Sequence, residues 1–185
     1  GQDGSDRLLQ VEGSHATVEW TEAKSTTDVA AAIGDLAEYT VIHGLLVSDS
    51  VTGILVDGPT TSTTIRRCVN HTMLAAGSYP NAEFVSGIVL WDDAGDIDLF
   101  NNTLEGVPTN SLYLQSHGLS DVVIKNNIFK DCGSIEQEGA SGLTYDYNCW
   151  YNCTESLSAA HDVTSDPSFT DEGGNDYTLA GGSPC

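Results

Sequence analysis

The sequence predicts an all-β chain wound as a solenoid of about six coils. Short runs alternate apolar and polar residues with a period of two, as strands with one inward face do. The runs recur every 21 to 25 residues, with one step of 34, and the copies superimpose position for position. Gly, Asp, Asn and Ser stand between them, where turns are needed.

Four segments align without gaps: Thr64 to Asn70, Asp98 to Leu104, Val123 to Phe129 and Thr144 to Trp150. Thr40 to Leu46 is a fifth copy and Thr17 to Thr21 a shortened sixth. Val18, Val41, Ile65, Leu99, Ile124 and Tyr145 are taken as equivalent. The long step holds residues 75–81, a Gly- and Pro-containing stretch that reads as a loop inserted into a regular repeat. A second strand precedes each copy by nine or ten residues: Ile54 to Val56, Ile88 to Leu90 and Leu112 to Leu114, with Val29 to Ile33 and Ile135 to Gln137 in the same slot. An amphipathic helix over Asp28 to Leu36 competes with the strand reading, because Ala favours helices.

So short a repeat is poorly suited to a meander of hairpins. It suits a coil, each turn stacking its strands in parallel on the last at about 4.8 Å. Stacking predicts columns of like residues. The inward ones are Val41/Ile65/Leu99/Ile124/Tyr145 and Leu46/Asn70/Leu104/Phe129/Trp150. A polar column, Gly44/Cys68/Asn102/Asn127/Asn148, falls at the bend, where stacked Asn side chains bond to one another and tolerate a left-handed backbone. Met73, Val107, Cys132 and Cys153 form another stack, and a Cys132–Cys153 disulfide is expected from the rung spacing. Cys185 is paired with Cys149, expected to point outward, and Cys68 is read as an inert buried thiol. The expected organisation is a single domain: an N-terminal coil region over 1–37, regular coils over 38–153 and a capping tail over 154–185.

This arrangement resembles the right-handed parallel β-helix family of secreted proteins, a pectate-lyase-like superfold. "YTVIHGLLV", "TGILVDG", "IDLFNNTLEG", "VVIKNNIFKDC" and the Asn column carry the resemblance over residues 38 to 153. The tail Asp166 to Phe169, Asn175 to Leu179 and Gly182 to Cys185 is similar to closing segments in such proteins. The resemblance leaves function open, since lyases, hydrolases, binding modules, adhesins and structural coils share the fold. In the lyases, a Ca²⁺ held by Asp neutralises a uronate and an Arg or Lys abstracts a proton. Carried onto this chain, that machinery implies Arg66, Lys125, Asp98 and Asp146. The alternative is a ladder of surface ion pairs, each worth little.

Composition narrows the partners. Six Lys and Arg against 27 Asp and Glu give a net charge of −21, which excludes a nucleic-acid-binding surface and repels polyanions unless cations intervene. No apolar run reaches the 18 residues of a membrane-spanning helix. Scarce Lys, abundant Thr, Ser, Asn and Gly and the acidic balance point to an extracellular setting. No cofactor is expected, apart from a Ca²⁺ at Asp92, Asp93 and Asp96. Trp91, Tyr113 and Phe100 project outward and offer rings to a polysaccharide or to another subunit; cover by the loop around Tyr79 is the alternative. His71 is expected on a solvated surface beside Glu105 and Lys130. Asn70, Asn101 and Asn152 open N-glycosylation sequons, Asn70 pointing inward. Leu8 to Val11 and Ala16 to Val18 enter the first coil without an evident cap, leaving an edge for self-association into a filament. The expected function is therefore a non-catalytic extracellular structural or assembly module, with a carbohydrate-active enzyme and a sugar-binding adhesin as alternatives.

Overall fold

The computed structural model describes residues 9–13, 15–24, 29–34, 37–71, 73–74, 86–91, 93–115, 118–137 and 140–185. Strands are numbered in chain order. The first sheet holds β1 (Leu9–Val11), β4 (Val29–Ile33), β7 (Thr52–Val56), β10 (Ser86–Leu90), β13 (Asn110–Leu114) and β16 (Ser134–Gln137). The second holds β2 (Thr17–Glu19), β5 (Val41–His43), β8 (Thr63–Arg66), β11 (Gly95–Phe100), β14 (Ser120–Lys125) and β17 (Leu143–Asp146). The third holds β3 (Glu22–Lys24), β6 (Leu46–Ser48), β9 (Val69–His71), β12 (Thr103–Glu105), β15 (Ile128–Lys130) and β18 (Cys149–Tyr151). Every third strand joins the same sheet and every pairing within these sheets is parallel, so the chain is a parallel β-helix.

The inward columns fill the coil. Ala31, Ile54, Ile88, Leu112 and Ile135 stack in the first sheet. Val18, Ile42, Ile65, Leu99, Ile124 and Tyr145 stack in the second. Ala23, Val47, Asn70, Leu104, Phe129 and Trp150 stack in the third. Phe129 and Trp150 lie ring on ring, 4.0 Å apart and within 4° of parallel. Burying each large aliphatic in these columns contributes about 1.5–3 kcal/mol.

The columns correct one register. In the fifth copy Ile42, Leu45 and Val47 take the places expected for Val41, Gly44 and Leu46. A one-residue slip in a strand exchanges its two faces, and packing decides the matter: Ile42 is buried and Val41 only half-buried. Residues 29–33 are a strand rather than a helix; stacking on β7 overrides the helical preference of Ala. Asp28, Asp35 and Leu36 lie outside the described residues, as do Leu8, Tyr79 and the inserted loop.

The polar column is a continuous ladder. The Oδ1 of Asn102 accepts from Cys68 N (3.0 Å), that of Asn127 from Asn102 N (2.9 Å) and that of Asn148 from Asn127 N (3.0 Å). Each Nδ2 donates to a carbonyl one rung back: Ile65, Leu99 and Ile124. The left-handed backbone belongs to the preceding residue instead. Gly44, Arg67, Asn101, Asn126 and Tyr147 have φ between 54° and 73°, which aims the four side chains after Gly44 outward while the ladder turns in.

Beyond β18 the tail crosses the last coil. Val163 bridges to Cys149, and β19 (Phe169–Asp171) pairs with β20 (Asp176–Leu179) as a hairpin. The tail is tied down by a Cys149–Cys185 disulfide. Cys149 itself is buried, not outward, because the tail covers it. The other expected bridge is not formed: Cys132 and Cys153 stack as hydrogen-bonded thiols. Cys68 is buried, and desolvation pushes its thiol up to about 11. His71 is buried under Tyr177 of the tail, ring centroids 5.3 Å apart, rather than solvated.

Candidate functional site

Alternation along β8, β11, β14 and β17 turns one residue in two away from the core. The resulting outer column is His43, Arg66, Phe100, Lys125 and Asp146. His43 heads the column because the register of the fifth copy turns Ile42 inward onto Ile65. Phe100 therefore lies one rung from each of two cations, with Arg66 and Lys125 about 10 Å apart along the axis. The next outer column is Val41, Thr64, Asp98, Val123 and Thr144. Beside it, Asp96, Asp98, Asp121, Ser62, Thr64 and Thr144 line a shallow groove of about 600 Å³. Burial, with Asp96 nearby, pushes the Asp98 carboxyl above its ordinary range.

The four residues implied by the lyase resemblance thus share one face without forming ion pairs with one another. Among the described residues the ion pairs are Lys24–Asp49, Lys130–Glu172 and Asp146–His161. Among the described residues Arg66, Arg67 and Lys125 have no acidic partner within 4.0 Å, and no ladder of surface pairs runs between them. Asp146 is engaged elsewhere: its Oδ2 lies 2.8 Å from His161 Nδ1 and its Oδ1 accepts from His161 N at 3.1 Å. The His161 contact holds the Asp146 carboxyl below the ordinary carboxylate range.

Trp91 and Tyr113 occupy a different face, the outside of the first sheet. Their rings are 6.0 Å apart at 20° and pack over Val29, Ala32, Leu55 and Val89. Both are half-buried, so they close an apolar patch more than they project from it.

Asp93 and, within β11, Asp96 have a left-handed backbone (φ 53° and 51°), and Asp92 lies outside the described residues. The described carboxylates that do converge are Glu105, Asp131 and Glu172, on the outside of the third sheet. Positive charge already reaches them, because Lys130 Nζ bonds Glu172 at 2.6 Å. Tyr177 donates to Glu105 at 3.3 Å and Asn152 to Asp131. Burial, then Glu172, pushes the Glu105 carboxyl up.

Sequence reasoning missed His161 and Asp162. Asp162 Oδ1 accepts from Asn148 N at 2.8 Å, continuing the ladder by one rung, and its Oδ2 accepts from Trp150 Nε1 at 3.1 Å. A signal was present: His161-Asp162-Val163 repeats the ring, polar, apolar order of Tyr147-Asn148-Cys149. The interval of 14 residues hid it.

Neither protein-family models nor curated protein sequences match this chain. One solved structure does: an alginate lyase from Paenibacillus sp. str. FPU-7 superimposes with a TM-score of 0.53 at 11% identity. The match takes in 78% of this chain and 65% of the lyase. The likeness is one of fold. No helix among the described residues is long and apolar enough to cross a membrane.

Proposed function

We propose that the chain is a carbohydrate-recognising β-helix that takes an acidic polysaccharide along the outside of its second sheet. One observation carries this reading. In a chain with 27 acids and six cations, Arg66 and Lys125 flank Phe100 in a single column, and no described carboxylate neutralises either. Unpaired cations spaced along the axis suit a chain of carboxylated sugars, and the ring between them suits a sugar face. The local charge opposes the overall repulsion of −21 at short range, where screening leaves contact pairs strongest. The fold likeness to an alginate lyase supports a polysaccharide as the class of partner, and a secreted setting agrees with the disulfide.

Binding of alginate and polygalacturonate oligosaccharides tests the reading, with product absorbance followed to detect unsaturated uronates. Arg66→Ala, Lys125→Ala and Phe100→Ala are each expected to weaken binding about tenfold, near 1.4 kcal/mol. Unchanged affinity in all three would refute the assignment. Formation of unsaturated product, lost in the Lys125 variant, would extend it from binding to elimination.

A second reading, end-to-end assembly, rests on the first coil. Among the described residues β1, β2 and β3 each pair on one side only, and Trp20 is 68% exposed beside them. Light scattering over a concentration series, with Trp20→Ala as the control, separates a monomer from a filament.

A further inference from the structure

The corner between the second and third sheets carries a feature that the acidic-polysaccharide reading does not use. Positive φ at Asn101 (55°), Asn126 (56°) and Tyr147 (59°) turns all three outward in one file. His161 prolongs the file, stacked on Tyr147 with centroids 4.5 Å apart and planes within 4°. Asp146 fixes the imidazole from behind through Nδ1. Tyr147 is 54% exposed, and among the described residues neither the Asn101 nor the Asn126 side chain has a hydrogen-bond partner. Two amides and a double ring platform therefore face the same way.

The C-terminal tail supplies an opposing wall. Cys149–Cys185 draws the chain end against β18, with Cα atoms 5.7 Å apart, and this sets Leu179 and Pro184 across from the file. The space between is a cavity of about 500 Å³, within the range of small-ligand sites. No lining residue is acidic, although acids make up 27 of the 185 residues.

We propose that this corner cavity is a second glycan site, specific for a neutral oligosaccharide. Free amides match pairs of sugar hydroxyls, because each amide offers two donors and an acceptor. The Tyr147–His161 platform and the Leu179–Pro184 wall match the apolar C–H faces of a pyranose ring. An uncharged ligand is indicated by the lining, which offers hydrogen bonds and apolar surface with neither Lys nor Arg. The site adjoins the Arg66–Phe100–Lys125 column, since Asn101, Asn126 and Tyr147 directly follow Phe100, Lys125 and Asp146, but its lining includes none of the column's side chains.

Calorimetric titration of protein made without N-glycosylation, using cello-, xylo- and mannotetraose, tests the proposal. Asn126→Gly and Tyr147→Asn suit the left-handed backbone while removing the amide and the ring. At least one tetraose is expected to bind with a Kd of about 1 mM or below. Each variant should weaken that binding about tenfold, while Arg66→Ala leaves it unchanged. Cys185→Ser, which frees the wall, should also weaken it. Binding of none of the three sugars at millimolar concentration would overturn the proposal, as would full affinity in both corner variants with the fold intact by circular dichroism. Loss in Arg66→Ala alone would assign the sugar to the cationic column instead. Failure of uronate binding would leave this result untouched, so the two sites are judged separately.

Discussion

Asn127 sits at the centre of the ladder, and its side chain answers groups on both neighbouring rungs. Oδ1 accepts from Asn102 N, while Nδ2 donates to Leu99 O at 2.9 Å and to Asn148 Oδ1 at 3.1 Å. Asn127→Ala would leave a buried N–H and a buried carbonyl without partners, each costing about 1–3 kcal/mol. A loss near 3 kcal/mol in urea unfolding is expected, and a loss under 1 kcal/mol would mean that water replaces the amide. The thiols sort by environment in the same way. Hydrogen bonding with Cys132 lowers the half-buried Cys153, whereas burial keeps Cys68 near 11. Alkylation of the native protein at pH 8 should label Cys153 first, with Cys68 and Cys132 reacting only after denaturation; mass spectrometry of the labelled peptides checks the order.

Among the strands, β7 and β10 show how little room a coil leaves between its rungs. Gly53 and Gly87 stack one above the other, and a methyl group added at Gly53 would come within 2.3 Å of Gly87 O and 2.8 Å of Asn70 Nδ2. Backbone on the next rung cannot swing aside. Gly53→Ala is therefore expected to destabilise by about 1–3 kcal/mol, read as a fall in the midpoint of chemical unfolding; a neutral outcome would show that the rungs slide apart. The paired strands Ile54 to Val56, Ile88 to Leu90 and Leu112 to Leu114 were legible in the sequence because all three face inward with the same alternation. The fifth copy was not, since Thr40 to Leu46 fits the repeat nearly as well in either of two frames. Only the buried volume around Ile42 distinguishes them.

Across the whole molecule, the tail acts as a lid on the last coil and a wall on its flank. It brings Tyr177 over His71, and burial lowers the His71 pKa below its ordinary 6.5. The folded state thus binds fewer protons there than the unfolded chain, so His71 withdraws stability as pH falls through 6.5. Glu105, raised above 4.5, works in the opposite direction at lower pH, because its proton is bound more tightly when folded. Thermal unfolding should show a falling Tm between pH 7.5 and 5.5, and His71→Gln should flatten it. A slope unchanged by that substitution would place the titrating group elsewhere.

The candidate site divides along the same line. Arg66, Phe100 and Lys125 were legible as one outward column, because strand alternation and a constant repeat are enough to stack them. Their freedom from acidic partners was not, since Asp146 is drawn off by His161, a residue 15 positions further on. Likewise, the sequence allowed both a Cys149–Cys185 and a Cys132–Cys153 bridge, and the folded chain forms the first, where the tail lands on β18, and leaves the second pair as thiols. Local periodicity by itself determined that this chain coils, which residues face inward and which side chains share a column, because those follow from strand geometry repeated at a fixed interval. The tertiary structure alone decided the frame of the fifth copy, the end of the Asn ladder at Asp162 and the cavity beneath the C-terminus. Those depend on how volume is filled and on where a non-repeating segment lands, and neither is written in a period.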